Sequence, residues 1–329
     1  MARRYINQLG EHETVDQVFL VSDKQLRTNR NGNLYLQLRL TDRTGSVTAM
    51  LWNASDQVYG SFDNGEYVRV QATTQFYNGA LQMIAQRLDR IDASTIDETE
   101  FQTLATTDID QLASRISEML RGVKNYHLRC LAECFLMDEP FMDKFLRAPA
   151  GVKNHHAYQG GLVEHVASLM KLTSAVAPLY PDIDGDLLLL GAFLHDIGKV
   201  NELTYDRELG YSDEGQLIGH LVMAVEMLDQ KIKEAQALSD EPFPEQLKLL
   251  LKHMILSHHG EYEFGSPKLP MTPEAVALHY LDNLDAKLEL FRLLIQSDAN
   301  TESNWTPYQP NLGRKLFKAT ASDSPCEEP

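Results

Sequence analysis

Nowhere among the 329 residues does an apolar run approach the ~20 needed to cross a bilayer, so no membrane partner is expected. The stretch MARRYINQLGEHE carries basic residues with no apolar segment behind them, and no secretory signal is read there. Cysteine is scarce: Cys130, Cys134 and Cys326 are too few for a disulfide framework. Cys130 and Cys134, four apart in a helical pattern, read as packed thiols. These absences point to the cytoplasm. No internal repeat is present. Positive charge is also in deficit, with a net charge of −17, which argues against a broad basic surface for nucleic acid. The average conceals a split. Residues 1–92 hold 10 Lys+Arg and 10 Asp+Glu, and the remaining 20 basic and 37 acidic residues carry the whole excess.

What is present follows two grammars. From Thr14 to Ile91 the pattern is strand-like. YLQLRLTD (35–42) alternates apolar and polar, RTGS (43–46) makes a turn, and VTAMLW (47–52) resumes the alternation. EYVRVQATTQFY (66–77) leads to Asn78-Gly79, a strong hairpin signal, and then to ALQMIAQRLDRI (80–91). With TVDQVFLVSDKQL (14–26) in front, about five strands are expected, and ASDQVYGSF (54–62) supplies a short helix after the third. That order matches the oligonucleotide-binding (OB) barrel, with a generic small β-barrel or sandwich as the alternative.

Residues 93–110 are polar, lack apolar period and read as a linker. Beyond them the period is 3.6, with helices expected at 109–121, 125–136, 139–147, 160–177, 186–197, 215–236, 245–259 and 273–296. The expected fold is therefore a multidomain β + α chain. A five-stranded OB barrel (1–92) precedes an all-helical domain (111–296) and a C-terminal extension (297–329). The middle of the extension is expected to pack on the helical domain, and its last ~10 residues to be disordered.

The histidines are informative because of the faces they occupy. His165 lies in the apolar stripe Leu162, Val166, Leu169. His195 follows Leu188, Gly191 and Ala192; His220 sits beside Leu217 and Leu221; His258 and His259 continue Leu251, Met254 and Ile255. Asp282 is four after Leu278, and Asp285 four after Leu281. One inward histidine is an ordinary packed residue. Five of them with inward carboxylates each need a partner, and converging on metal satisfies them together. Their nitrogen and oxygen donors, without thiolate, suit Mn²⁺, with Fe²⁺ or Co²⁺ as alternatives, in one or two ions.

The order H…HD…H…HH…D resembles the HD-domain superfamily of metal-dependent phosphohydrolases. HHAYQGGLVEH (155–165), FLHDIGK (193–199), IGH (218–220), LSHHGEYEFGSPKLP (256–270) and LHYLDNLDAKL (278–288) together resemble the YhaM-type 3′→5′ exoribonuclease family, which joins an N-terminal OB-fold to an HD domain. The resemblance implies one metal on His165, His195, Asp196 and Asp282. It implies a second on His220, His258 and His259, with Asp196 bridging. Asp282 is preferred to Asp285 on the family pattern, although the helical face slightly favours Asp285. If a single metal binds, His258 and His259 contact phosphate instead. Lys199 reads either as a phosphate contact, as the HDxxK match implies, or as an exposed lysine near a helix C-terminus. The resemblance further implies phosphate or ribose contacts from His155, His156 and Tyr158. His279 is a candidate proton donor, which gives Asp196, Lys199 and His279 as the catalytic set. On the barrel, Tyr35, Trp52, Phe76, Tyr77 and Arg39 are candidates for holding a strand, some of these aromatics being equally suited to the core.

The expected function is metal-dependent 3′→5′ hydrolysis of single-stranded RNA, with single-stranded DNA and a second copy of the chain as further candidate partners. The alternative is a phosphohydrolase of a nucleotide or cyclic dinucleotide, with the barrel as a regulatory module.

Overall fold

The alternation in the sequence becomes the inside and outside of a barrel. In β2 (Leu34–Asp42), Leu36, Leu38 and Leu40 are buried, while Tyr35, Gln37 and Arg39 occupy the other face. The structure, a computed structural model, describes residues 3–29, 32–77, 80–97, 100–101, 106–152, 158–205, 209–296, 298 and 303–318. It divides into two units, Met1–Thr103 with Glu289–Pro329, and Leu104–Leu288.

In the first unit, β2 joins β1 (Thr14–Thr28), β3 (Gly45–Trp52), β4 (Tyr67–Tyr77) and β5 (Ala80–Ile91) in a closed barrel, ordered β1-β2-β3-β5-β4. The β3–β5 ladder is parallel, and the rest are antiparallel. β1 is long enough to pair with β4 through its first half and β2 through its second. Its pairing with β2 is interrupted by a bulge between Ser22 and Gln25, where Asp23 takes φ 51°. A second irregularity lies where Gln71 pairs with Arg87 but Ala72 with Ala85, which moves the inward phase of β5 from Ala85 to Leu88. The expected helix after the third strand is present as α1 (Asp56–Tyr59), capped by Ser55, whose side chain accepts from Val58 N. Closure leaves no open edge, and the five-stranded barrel with this helix is the OB-fold. The Asn78-Gly79 turn lies outside the described residues.

The tail departs from expectation. Trp305 bridges to Phe317 and Gln309 to Arg314 around the turn Pro310–Leu312, and this segment groups with the barrel rather than the helical domain. Residues 319–329, expected to be disordered, lie outside the described residues.

In the second unit, α2 (Thr106–Arg121) opens inside the stretch read as linker, with Asp108 in its first turn. α3 (Tyr126–Leu136), α4 (Glu139–Arg147) and α5 (Gly161–Val176) follow at their expected places. α6 (Gly185–Leu194) is the central helix. Seven of its ten residues are buried, so no polar face is required. Asp184 caps it, accepting from Asp186 N and Leu187 N. Phe193 packs among Phe135, Phe141 and Phe145.

Two expected helices are broken. The one read over 186–197 ends at Leu194, and a turn carries His195–Gly198 into α7 (Lys199–Glu202). A short β6–β7 hairpin follows (Leu203–Thr204 with Gly210–Tyr211). The helix read over 215–236 splits into α8 (Asp213–Ile218) and α9 (His220–Ser239), because Gly219 at φ 79°, ψ 154° leaves helical space. α10 (Glu245–Ser257) and the part of α11 (Pro273–Gln296) up to Leu288 complete the unit, the rest of α11 grouping with the first. Among the described residues no helix is long and apolar enough to cross a membrane.

Candidate active site

The break after α6 sets the site. By ending at Leu194, the helix releases His195 and Asp196 into a turn that Ile197, fully buried, anchors in the core. His195 and Asp196 are nevertheless 0% and 2% exposed, so every polar atom on them needs a partner inside the protein. Gly198 lets this turn touch α9: a Cβ there would lie 2.1 Å from the carbonyl oxygen of His220.

Each histidine is fixed by its Nδ1. That atom lies 2.8 Å from Ala192 O in His195, 2.8 Å from Ile255 O in His258, and 3.0 Å from Phe264 O in His259. It lies 2.8 Å from His258 O in His279. A carbonyl can only accept, so Nδ1 carries the hydrogen in all four, and Nε2 is the atom left for chemistry. In His220 the acceptor is Glu202 Oε1 at 3.0 Å, and in His165 it is Asp285 Oδ2 at 3.0 Å. Such partners orient an imidazole and raise its basicity as a ligand.

The Nε2 atoms converge. The ligand atoms of His165, His195 and Asp282 lie within 4.8 Å of one another, as do those of His220, His258 and His259. Asp196 stands between the groups. Its Oδ2 is 3.2 Å from His195 Nε2 and 3.9 Å from His165 Nε2; its Oδ1 is 3.5 Å from His220 Nε2 and 3.6 Å from His258 Nε2. Asp196 Oδ1 and His220 Nε2 are buried without a hydrogen-bond partner. Two orphaned acceptors at one point cost several kcal/mol unless a cation meets them. The donor set fits a divalent metal of the nitrogen–oxygen class.

Charge is arranged to match. Burial opposes ionisation of Asp196, but Lys199 and His195 outweigh it and hold the carboxyl well below its usual range. Burial likewise opposes the charge on Asp282, and the hydrogen bond from His165 overrides it, lowering this carboxyl too. Glu202 is lowered against its own burial by the bond to His220. Burial disfavours protonation of His165, yet Asp282 and Asp285 outweigh it and push this imidazole up to about 9. Burial pushes His258 well down and His259 down, so both are neutral lone-pair donors.

The expected residues are therefore partly gathered and partly dispersed. His165, His195, Asp196, His220, His258, His259 and Asp282 form one cluster. Asp282 lies on the Nε2 side of His165, at 3.2 Å, while Asp285 holds its Nδ1 and accepts from Ser168 Oγ at 2.6 Å. Lys199 is not an exposed helix-end lysine: its Nζ donates to Asp196 Oδ2 at 2.6 Å and Ala150 O at 2.7 Å. Tyr158 donates its hydroxyl to Glu164. His155 and His156 lie outside the described residues. Glu202, seven residues past His195, and Ser168 gave no signal in the sequence. Their roles arise only where chain segments meet.

On the barrel the aromatics fall in two places. Tyr35 and Trp52 are cross-strand partners on β2–β3 with ring centroids 5.2 Å apart, and Trp52 is exposed. Arg39 lies on that outer face and Arg27 pairs with Tyr35, whereas Arg69 is engaged with Asp16 and Arg43 lies over Tyr5. Phe76 and Tyr77 stand at the far end of β4, two strands from β3. None of the four aromatics belongs to the buried core.

Comparison with known proteins agrees with both halves. The HD domain family model matches residues 162–287, and the model described as OB-fold nucleic acid binding domain matches residues 20–91. The 3′-5′ exoribonuclease YhaM of Bacillus subtilis is 35% identical over 286 residues, 87% of this chain and 88% of that protein. Its namesakes from Bacillus velezensis and Listeria monocytogenes are each 34% identical, covering 86% and 84% of this chain and 87% of their own lengths. A match of that identity and extent, on a chain that carries both the barrel and the histidine cluster, makes this protein a member of the YhaM-type 3′→5′ exoribonuclease family.

Proposed function

We propose that this chain is a metal-dependent 3′→5′ exoribonuclease that hydrolyses phosphodiester bonds of single-stranded RNA, the barrel holding the strand and the histidine cluster cutting it. One observation carries the reading: the two oxygens of Asp196 face two adjoining groups of Nε2 atoms, with ligand atoms of His195, Asp196 and His258 themselves within 4.8 Å of one another. On this reading His165, His195, Asp196 and Asp282 hold one divalent ion, and His220, His258 and His259 hold a second with Asp196 shared. Bound ions of this kind supply Lewis acidity at phosphorus and lower the pKa of an attacking water. Mn²⁺ is the ion proposed, from the mixed nitrogen–oxygen donors.

The remaining residues position and discharge. Lys199 ties Asp196 to the Ala150 carbonyl, fixing the shared carboxylate. That makes it a positioning group first and a phosphate contact second. Asp285 and Glu202 aim His165 and His220. His279, held by its Nδ1 hydrogen, can exchange a proton with the leaving oxygen only through Nε2. Tyr35, Trp52 and Arg39 form the strand-holding face; base stacking on such rings tolerates any sequence, so single-stranded DNA is a second ligand of the barrel. Cys130 and Cys134, both free thiols, suit a reducing cytoplasm.

Incubating the protein with 5′-labelled RNA and Mn²⁺ tests the reading. A ladder shortening from the 3′ end, abolished by EDTA, is expected; uncut RNA would refute it. Asp285→Asn is expected to lower metal affinity and turnover about 10–100-fold, the usual cost of losing a partner of a ligand. Metal titration of that variant, giving the unaltered affinity, would remove Asp285 from this role. Trp52→Ala is expected to weaken binding of a long strand by about 1–3 kcal/mol, with a smaller effect on a dinucleotide. Fluorescence anisotropy with both ligands measures the difference, and equal losses would count against the barrel as strand holder.

A further inference from the structure

The walls of the metal cluster differ in depth. His165, His195 and His258 are at most 2% exposed, whereas His220, His259 and His279 keep some contact with solvent. Three separate elements carry large exposed apolar side chains close in sequence to those three residues. Leu217, 86% exposed, lies near the end of α8 just before His220; Tyr262 and Phe264, 65% and 63% exposed, follow His259; Tyr280, 66% exposed, adjoins His279. The rings of His279 and Tyr280 lie 4.9 Å apart.

The turn bearing Tyr262 and Phe264 is firmly built. The Phe264 carbonyl accepts from His259 Nδ1, Phe264 N and Ser266 N donate to Glu261 O, and the hydroxyl of buried Ser266 lies 2.6 Å from Lys268 O and 3.1 Å from Leu256 O. The turn therefore fixes the backbone beneath two uncovered rings. Glu261 and Glu263, exposed on the same turn, repel phosphate, so its ligand is a planar apolar group rather than the nucleic-acid backbone. Nucleobases have that character and stack on aromatic rings without regard to sequence.

We propose that Tyr262 and Phe264, with Tyr280 beside His279, form a stacking clamp for the nucleobases at the 3′ end of the strand, which delivers the last phosphodiester to the cluster. The proposal rests on the exoribonuclease reading.

Steady-state kinetics of the full-length protein with Mn²⁺ test it on two RNAs, one with an ordinary 3′ end and one whose last two nucleotides are abasic. In the wild type the abasic end is expected to raise KM about 10–100-fold with kcat changed less than about threefold. The double variant Tyr262→Ala, Phe264→Ala is expected to show that raised KM on the ordinary end and no further rise on the abasic one, and Tyr262→Phe to retain the wild-type KM. Losses that multiply, or an unchanged KM in the variant, would overturn the clamp. If the double variant does not fold, the wild-type comparison decides alone, and equal KM for the two ends overturns it. A variant that changes oligomeric state in sedimentation yet still discriminates against the abasic end would assign the rings to a second copy and likewise overturn it. RNA left uncut by the wild type would refute the parent reading, an outcome distinct from all of these.

Discussion

Asp196→Asn is expected to eliminate RNA hydrolysis and to leave the protein with no stably held metal. Losing an outer partner of a ligand costs about 10–100-fold, and Asp196 faces both histidine groups at once, so its loss should exceed the upper end of that range. The amide keeps the shape but carries no charge, and it offers a single acceptor oxygen where two groups need one each. Asparagine is preferable to alanine because Lys199 is tied to this carboxylate. Removing one partner of a buried ion pair costs about 3–5 kcal/mol, and alanine would add a cavity to that. Pairing Asp196→Asn with Lys199→Met removes both charges and separates lost chemistry from lost stability. Metal content by mass spectrometry and turnover of labelled RNA give the answer. Retention of both in the single variant would exclude Asp196 as the shared ligand.

Gly198→Ala is expected to be nearly as damaging, through packing alone. The added Cβ would meet backbone on α9: His220 O at 2.1 Å, His220 C at 2.8 Å and Ala224 N at 2.9 Å. Backbone cannot swing aside as a flexible side chain can. The turn and α9 must separate, and they carry Asp196 and His220 respectively. Overpacking of this kind costs about 1–3 kcal/mol or more. For a unit of this size that is a fall in Tm of roughly 2–4 °C per kcal/mol. Calorimetry and metal stoichiometry are the readouts, and a variant with wild-type Tm and full metal would show that the contact is looser than the geometry indicates. Gly191 makes a useful contrast, because the nearest atom to its Cβ is the end of the flexible Met254 side chain.

Particular residues show how much of this was legible in the sequence. Leu36, Leu38 and Leu40 alternate so regularly that β2 and its buried face followed directly, and the other four strands came from the same period. The gathering of His165, Asp282 and the other clustered residues is legible because helical spacing puts polar residues on apolar faces. The family pattern then favoured Asp282 over Asp285, and the two stand on opposite sides of the His165 ring. The ends of α6 and α8 were not legible. Gly198 marks an exit, which places the end of the helix at 197, but the chain leaves helical geometry already after Leu194, where nothing in the local sequence signals it. Glu202 and Ser168 were missed because their partners lie 18 and 117 residues away, a distance that no window along the chain spans.

The balance of charge at the cluster has a consequence for the order of events. Asp196, Asp282 and Glu202 are held ionised there and Asp285 backs His165, while Lys199 and the proton on His165 face them. Before any metal arrives the pocket is negative, and it turns away an RNA phosphate as it would any other anion. A divalent cation on the proposed ligands offsets that charge. On the proposed function, loading with metal is then expected to govern access as well as reaction, so that chelation weakens RNA binding at the cluster in addition to stopping cleavage.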